Sequence, residues 1–223
     1  SYNYTYSYIF VANATEVMIE NVSLYRLYMY NVSKAEIWYM DYLSIYSWYT
    51  DLTIYDSVMT SISVTSYDGI INVTNIISSS WFEIDVSNAE LYVENINGVG
   101  VSNAYIDISK SYADLHNVTV DRVGLNIWHS EVNIDLFNFT FASTTHIDYS
   151  SVHLKDGFID STAYVYYSTV YLSNTTMNYV YVNEYWVENG NFVLNNGMIS
   201  SYTGTVLYGI VDQGSSSCQN SEI

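Results

Sequence analysis

A short alternating motif recurs along the chain and constrains its fold more than any other feature. The motif is apolar, any residue, apolar, any residue, then Asn or Asp, and it recurs at a mean spacing of about 19 residues. The copies are VMIEN from Val17, IWYMD from Ile37, LTIYD from Leu52, INVTN from Ile71, LYVEN from Leu91, ADLHN from Ala113, VNIDL from Val132, VHLKD from Val152, VYLSN from Val170 and FVLNN from Phe192. Alternation is typical of a short strand with one buried face, and Asn or Asp favours the left-handed backbone of a sharp corner. Each repeat is therefore interpreted as a strand followed by a corner, with Leu136 the one departure at the fifth position.

Stacking of these repeats predicts the fold class. A second alternating segment follows each corner, as at 82–86 and 105–108, and none of the segments has the spacing of an amphipathic helix. We expect an all-β, single-domain parallel β-helix, or solenoid, of about ten coils of about 19 residues. Its predicted bounds are 17–199, with an N-terminal cap or connector at 1–16 and a C-terminal cap and tail at 200–223. A β-sandwich or jelly roll remains the alternative, because short strands separated by turns suit it too.

The pattern over residues 17–199 resembles right-handed parallel β-helix proteins of the pectin-lyase-like superfold. The resemblance is to an architecture, and it implies polysaccharide cleavage as one activity to consider. Paired carboxylates for such a reaction are offered by Glu83 with Asp85 and by Asp107 with Asp148. The Lys and Arg residues that a lyase would use as a base are scattered over different coils. We therefore expect no enzyme and no catalytic site, with a polysaccharide lyase or hydrolase as an alternative.

The charge balance excludes two classes of partner. Lys and Arg total 5 against 23 Asp and Glu, a formal charge of −18 at pH 7. A basic patch for nucleic acid or for an anionic membrane is therefore excluded. No apolar run is long enough for a transmembrane helix. Ser1 in place of Met is expected of either a processed mature form or a trimmed chain, and in both cases a targeting signal would already be removed. Cys218 is the single cysteine, which leaves a free thiol or an intermolecular bridge.

Eight sequons suggest an extracellular protein carrying N-glycans. They are Asn3, Asn13, Asn21, Asn31, Asn72, Asn117, Asn138 and Asn174. Four of them fall within the first 31 residues, and glycosylation requires an extracytoplasmic surface. The alternative is that Asn, Ser and Thr are frequent because polar turns are frequent.

Acidic residues and histidines are the residues of this sequence that could bind a metal ion. Glu16, Glu36, Asp51, Glu90 and Glu131 all precede a first strand, so a column of like charges is expected that calcium could bridge or acid could neutralise. Splaying of these side chains into water is the alternative. His116, His129, His146 and His153 occupy different coil positions and lack zinc-ligand spacing, so no metal site is expected there.

Aromatic residues supply the remaining signal. Residues 1–10 alternate strictly, which places Tyr2, Tyr4, Tyr6, Tyr8 and Phe10 on one face of a strand as candidates for an inter-subunit contact. The chain contains 26 Tyr and 5 Trp, which suit sugar stacking, subunit interfaces or ladders along the rod.

These features together favour an extracellular glycosylated structural subunit that assembles with copies of itself, head-to-tail, into a filament or surface layer. High Tyr, Asn, Ser and Thr with low Lys and Arg and no Pro is similar to the surface and filament proteins of thermoacidophilic archaea. A carbohydrate-binding or adhesive surface module, including a virion spike, is the alternative.

Overall fold

Parallel pairing joins each strand to a strand about one repeat further along the chain. The structure is a computed structural model that describes residues 8–21, 24–140, 144–181, 191–195, 198–203, 211–213 and 217–218, with side chains as far as 161 and from 163 to 176. Tyr8 pairs with Arg26, Leu27 with Ile45, and Ile45 with Val64, all in parallel. The chain therefore winds into a parallel β-solenoid of about nine turns, and the described residues contain no helix. At about 4.8 Å per turn the rod is about 43 Å long.

The strands form one sheet that wraps around the rod. Strand β6 is 47 residues long, because it continues through the corners without a break. It therefore spans more than two turns of the rod. The strands are β1 Tyr8–Ala12, β2 Val17–Glu20, β3 Arg26–Tyr30, β4 Ala35–Trp38, β5 Tyr42–Trp48, β6 Leu52–Gly98, β7 Asn103–Ser109, β8 Tyr112–Asp121, β9 Val123–Trp128, β10 Glu131–Thr140, β11 Thr144–Asp148, β12 Ser151–Tyr166, β13 Thr169–Tyr181, β14 Asn191–Asn195, β15 Met198–Thr203, β16 Val211–Gln213 and β17 Ser217–Cys218.

Apolar side chains stack inside the rod, one from each turn. One such stack of buried residues runs through the first strand of successive turns: Ile19, Ile37, Ile54, Val73, Val93, Leu115, Ile134, Leu154 and Leu172. Burial of each is favourable by about 1.5–3 kcal/mol, and the parallel register aligns like with like. The core is thus one continuous column of aliphatic side chains.

Corners with left-handed backbone separate the faces. The first corner of successive turns lies at Asn21, Tyr39, Asp56, Asn75, Asn95, Asn117, Leu136, Asp156 and Asn174, all with φ between 48° and 56°. The predicted second copy is therefore misplaced: its strand begins at Ala35, not Ile37, and Tyr39, not Asp41, makes the corner. The physical reason is that Ala35 and Ile37 both point inward, so the core fixes the register two residues earlier.

A second corner closes each turn, and the sequence pattern did not reveal it. It lies at Asn13, Asn31, Tyr49, Asp68, Asn88, Lys110, His129, Tyr149 and Tyr167. A buried Ser or Thr follows many of these corners; Ser130 Oγ donates to Trp128 O at 2.8 Å and accepts from Ser111 N at 3.1 Å. Ser111, Ser150, Ser168 and Thr50 repeat this arrangement. The backbone amide of one turn is thereby satisfied by the hydroxyl of the next.

Solenoid pairing extends beyond both predicted boundaries. Strand β1 lies within the predicted N-terminal cap but pairs in parallel with β3. Strands β16 and β17 lie in the predicted C-terminal cap, and they pair in parallel with β14 and β15. Residues 8–12, 211–213 and 217–218 therefore belong to further strands of the solenoid.

Candidate functional site

The N-terminal edge, defined here as strands β1 and β2, is an end of the sheet. Within the described part of the chain, β1 pairs only with β3 and β2 only with β4. An edge strand of this kind presents unpaired N–H and C=O groups that can receive another strand. The edge can therefore act as a template for a further rung.

Apolar groups are exposed at this edge. Ile9 pairs with Leu27 in a core column, yet it is 40% exposed, while Leu27 is fully buried. Tyr8 and Phe10 point outward and are 74% and 65% exposed. Of the predicted inter-subunit residues, Tyr8 and Phe10 thus lie on the rod's first described strand, and Tyr2, Tyr4 and Tyr6 lie outside the described residues.

The predicted glycosylation asparagines are concentrated at the corners. Asn13, Asn21, Asn31, Asn117 and Asn174 are exposed and left-handed, Asn138 is exposed within β10, Asn72 is half-buried, and Asn3 lies outside the described residues. Asn117 Nδ2 donates to Asn95 Oδ1 at 2.7 Å and Asn174 Nδ2 to Asp156 Oδ1 at 2.6 Å. An N-linked glycan replaces one of the two Nδ2 hydrogens, so the second remains for this ladder.

Carboxylates meet on the outer face of β6 and β7: Glu83 and Asp85 share one face of β6, whereas the predicted pair of Asp107 with Asp148 does not form. Asp85 pairs with Asp107 on the next turn, whereas the column of Asp107 continues to Asn126 and then His146, so Asp148 is not its partner. Burial raises the pKa of Asp85, and the charges of Asp107 and Glu83 raise it further. Burial also raises the pKa of Asp107, against a hydrogen bond from Asn126 that lowers it. The cause of the change from the prediction is register, which depends on the lengths of the intervening turns.

The expected column of like charges is interrupted. Lys34 takes the position between Glu16 and Asp51, and its Nζ lies 3.8 Å from Glu16 Oε1 and 2.7 Å from Glu36 Oε1. Tyr112 likewise separates Glu90 from Glu131. In the portion of the chain that the structure describes, no group of three or more His, Cys, Asp or Glu side chains could hold a metal ion. The geometry therefore supplies no calcium-bridging column there.

Three histidines stack on tyrosines of the following turn. The ring centroids of His153 and Tyr171 are 4.2 Å apart, and those of His146 and Tyr164 and of His129 and Tyr149 are both 4.8 Å apart. The fourth, His116, lies with Nδ1 3.6 Å from Asp135 Oδ2. His129, His146 and His153 thus belong to stacks of rings that continue from one turn to the next.

Comparisons with known proteins do not assign the chain to a family. Searches against family models, curated proteins and solved structures found no match to the chain. None of the described residues forms a helix able to cross a membrane. The fold therefore defines the protein as a parallel β-solenoid, and β1 and β2 are the first strands of its described part.

Proposed function

We propose that this protein is an extracellular, N-glycosylated structural subunit that assembles head-to-tail into a filament or surface layer. The observation that carries the proposal is the N-terminal edge, where β1 and β2 pair in one direction and Ile9 exposes the end of a core column. Strands at the other end keep the same parallel direction as far as β17. The last rung of a second copy can therefore continue the hydrogen-bond ladder, and its stacking would cover Ile9.

Such a contact joins two different surfaces, and so it does not close into a dimer. A head-to-tail contact that does not close generates a filament. Asn117 and Asn174 lie at corners far from the N-terminal edge, whereas Asn13 and Asn21 lie at the corners that follow β1 and β2, so glycans there would project sideways from the end of the rod. A charge of −18 opposes lateral contact at neutral pH, because like-charged rods repel one another.

The first experiment is negative-stain electron microscopy of the natively secreted protein, together with a glycan stain on a gel. Long uniform fibres that carry glycan are the expected result, and discrete rods about 4 nm long would refute self-assembly. Ile9→Lys places a charge at the exposed end of the core, where stacking of a second copy would bury it. We expect Ile9→Lys to leave single rods with the circular dichroism spectrum of the wild type.

Val58→Lys is the matched control, because Val58 is 70% exposed on the side of the rod. It changes the net charge by the same amount without touching an end. Fibres in Val58→Lys and none in Ile9→Lys support end-to-end stacking. Fibres of equal length in both variants would show that the N-terminal edge is not the contact.

We further propose that the medium is acidic and that the protein is not an enzyme. The raised pKa values of Asp85 and Asp107 support the first point, since protonation relieves their repulsion. Thermal stability and assembly should be greatest in acid across pH 2 to 8, and collapse below pH 4 would contradict this. Turnover of a polysaccharide that Asp85→Asn or Asp107→Asn abolishes would contradict the second point.

A further inference from the structure

A gap in an aromatic ladder lies on the outer face of the first four turns. Tyr25 stacks on Tyr42 with ring centroids 5.8 Å apart and planes at 2°. The next turn carries Ser61 in register with Tyr42. Ser63 Oγ donates to Glu83 Oε2 on the turn after that, so Ser63 and Glu83 occupy the same column. Ser61 and Trp81 each lie two residues earlier, so Trp81 follows Ser61 in the neighbouring column. We call the space over Ser61, between the rings of Tyr42 and Trp81, the ladder gap.

The ladder gap has room for one ring. Two turns separate Tyr42 from Trp81, so their backbone positions lie about 9.6 Å apart along the rod, and a ring on the rung between them would lie about 4.8 Å from each rung. Stacked rings elsewhere in the protein have centroids 4.2 to 6.1 Å apart, which brackets that value. The depression has a volume of about 370 Å³, within the size range of small-molecule sites.

Polar groups surround the gap and are held in place. Glu83 Oε2 accepts hydrogen bonds from Ser63 Oγ at 2.8 Å and from Trp81 Nε1 at 3.1 Å. The Arg26 guanidinium lies 5.1 Å from the centroid of the Tyr25 ring, at the other end of the depression. Hydroxyl groups of Ser44, Ser61 and Ser63 line the floor. Burial raises the pKa of Tyr42, with smaller contributions from its neighbours, so this phenol remains a hydrogen-bond donor near neutral pH.

We propose that the ladder gap binds a pyranose ring of a neutral saccharide. A pyranose has two C–H faces, which suit the rings of Tyr42 and Trp81, and an edge of hydroxyl groups that both donate and accept. Glu83 accepts from such hydroxyls, and the side chains of Ser61 and Ser63 can donate to them. A uronic acid or sialic acid is disfavoured, because Glu83 and the nearby Asp85 and Asp107 repel a second negative charge. The site lies on the side of the rod and does not depend on assembly at its ends.

Calorimetric titration of the full chain tests the proposal with defined probes. The probes are the tetraoses of glucose, mannose, galactose and N-acetylglucosamine, each to about 10 mM, with tetragalacturonate as the anionic comparison. We expect saturable binding of at least one neutral tetraose, accompanied by a change in Trp fluorescence. Tetragalacturonate should bind at least about tenfold more weakly.

Ser61→Tyr is the decisive variant, because it fills the missing rung and keeps the fold. It should abolish binding, and Trp81→Ala should weaken it at least about tenfold. Trp48→Ala is the matched control: Trp48 stacks on Tyr67 with centroids 6.1 Å apart, outside the gap, and its loss should leave binding unchanged.

Several results would overturn the proposal. Failure of all four neutral tetraoses to bind shows that the gap is not a saccharide site. Preference for tetragalacturonate refutes the role given to charge. N-acetyltyrosine amide is the probe for an aromatic side chain. If it binds the wild type but not Ser61→Tyr, and no tetraose binds, then the gap receives an aromatic side chain instead of a saccharide. Unchanged tetraose binding in Ser61→Tyr places the saccharide elsewhere on the rod.

Discussion

Alanine in place of Gly157 puts a methyl group into space that Phe137 already occupies. A Cβ at residue 157 would lie 2.2 Å from Phe137 Cε1 and 2.3 Å from Cδ1, where carbon atoms normally approach to about 3.5–4.0 Å. The ring must therefore retreat by more than about 1 Å. Phe137 is 4% exposed and packs on Phe139 at 5.2 Å, so its movement disturbs the core.

Overpacking of this kind costs about 1–3 kcal/mol, and the severity of the overlap points to the upper half of that range. For a protein of this size, each kcal/mol lowers Tm by about 2–4 °C. Gly157→Ala should therefore lower Tm by roughly 4–12 °C, measured by circular dichroism at a fixed low protein concentration.

Gly98→Ala is the matched control, because its Cβ would lie 3.2 Å from Val120 Cγ1 and 3.6 Å from Val101 Cγ1. It should cost less than about 1 kcal/mol. Phe137→Val removes the clash, so the double variant Phe137→Val with Gly157→Ala should be more stable than the two single costs predict, by about 0.5–3 kcal/mol. Equal Tm values for both alanine variants, or strict additivity in the cycle, would refute this packing argument.

Three further substitutions test other parts of the fold. Asp85→Asn should be more stable than wild type at pH 7. The pKa of Asp85 is raised in the folded state, so ionisation of Asp85 lowers the free energy of unfolding of the wild type once the pH exceeds about 3.9, the pKa of an unfolded Asp. Urea titrations should therefore show the advantage of Asp85→Asn vanish below about pH 3.9. Ser130→Ala should lower the free energy of unfolding by about 1–3 kcal/mol, because the buried Ser111 N–H loses its acceptor. Ser130→Thr keeps the hydroxyl and should be nearly neutral, and equal losses in both variants would argue against a role for the hydrogen bonds of Ser130 Oγ. Leu136→Asn should stabilise by about 1 kcal/mol, since Leu136 has φ 52° and is 48% exposed, and a lower Tm would contradict the corner argument.

Much of the solenoid could be predicted because its repeat is local. Alternating apolar residues followed by Asn or Asp predict a strand and a corner within five residues, and most of the motif copies match the structure at these positions. The copy at Ile37 was wrong by two residues, because Asp41 satisfies the Asn/Asp position of the motif whereas the residue that makes the corner, Tyr39, does not. The serines that follow the second corner also recur at the repeat spacing, as Ser111, Ser130, Ser150 and Ser168. The residues around them vary too much for this recurrence to define a motif.

Side-chain neighbours across turns could not be predicted. Asp85 meets Asp107, and Ser61 separates Tyr42 from Trp81, only because turns of unequal length bring those residues into register. A shift of one residue in any turn would exchange the inner and outer faces of the following strand.

The amino-acid sequence by itself determined the fold class, the parallel repeat, the first corner of most turns and the negative charge, because each depends on residue type and on spacing within one turn. Only the tertiary structure decided which outward side chains share a column, where the N-terminal edge lies and where the aromatic ladder has its gap. These features depend on contacts between residues about 19 positions apart, and such contacts exist only after the chain has wound onto itself.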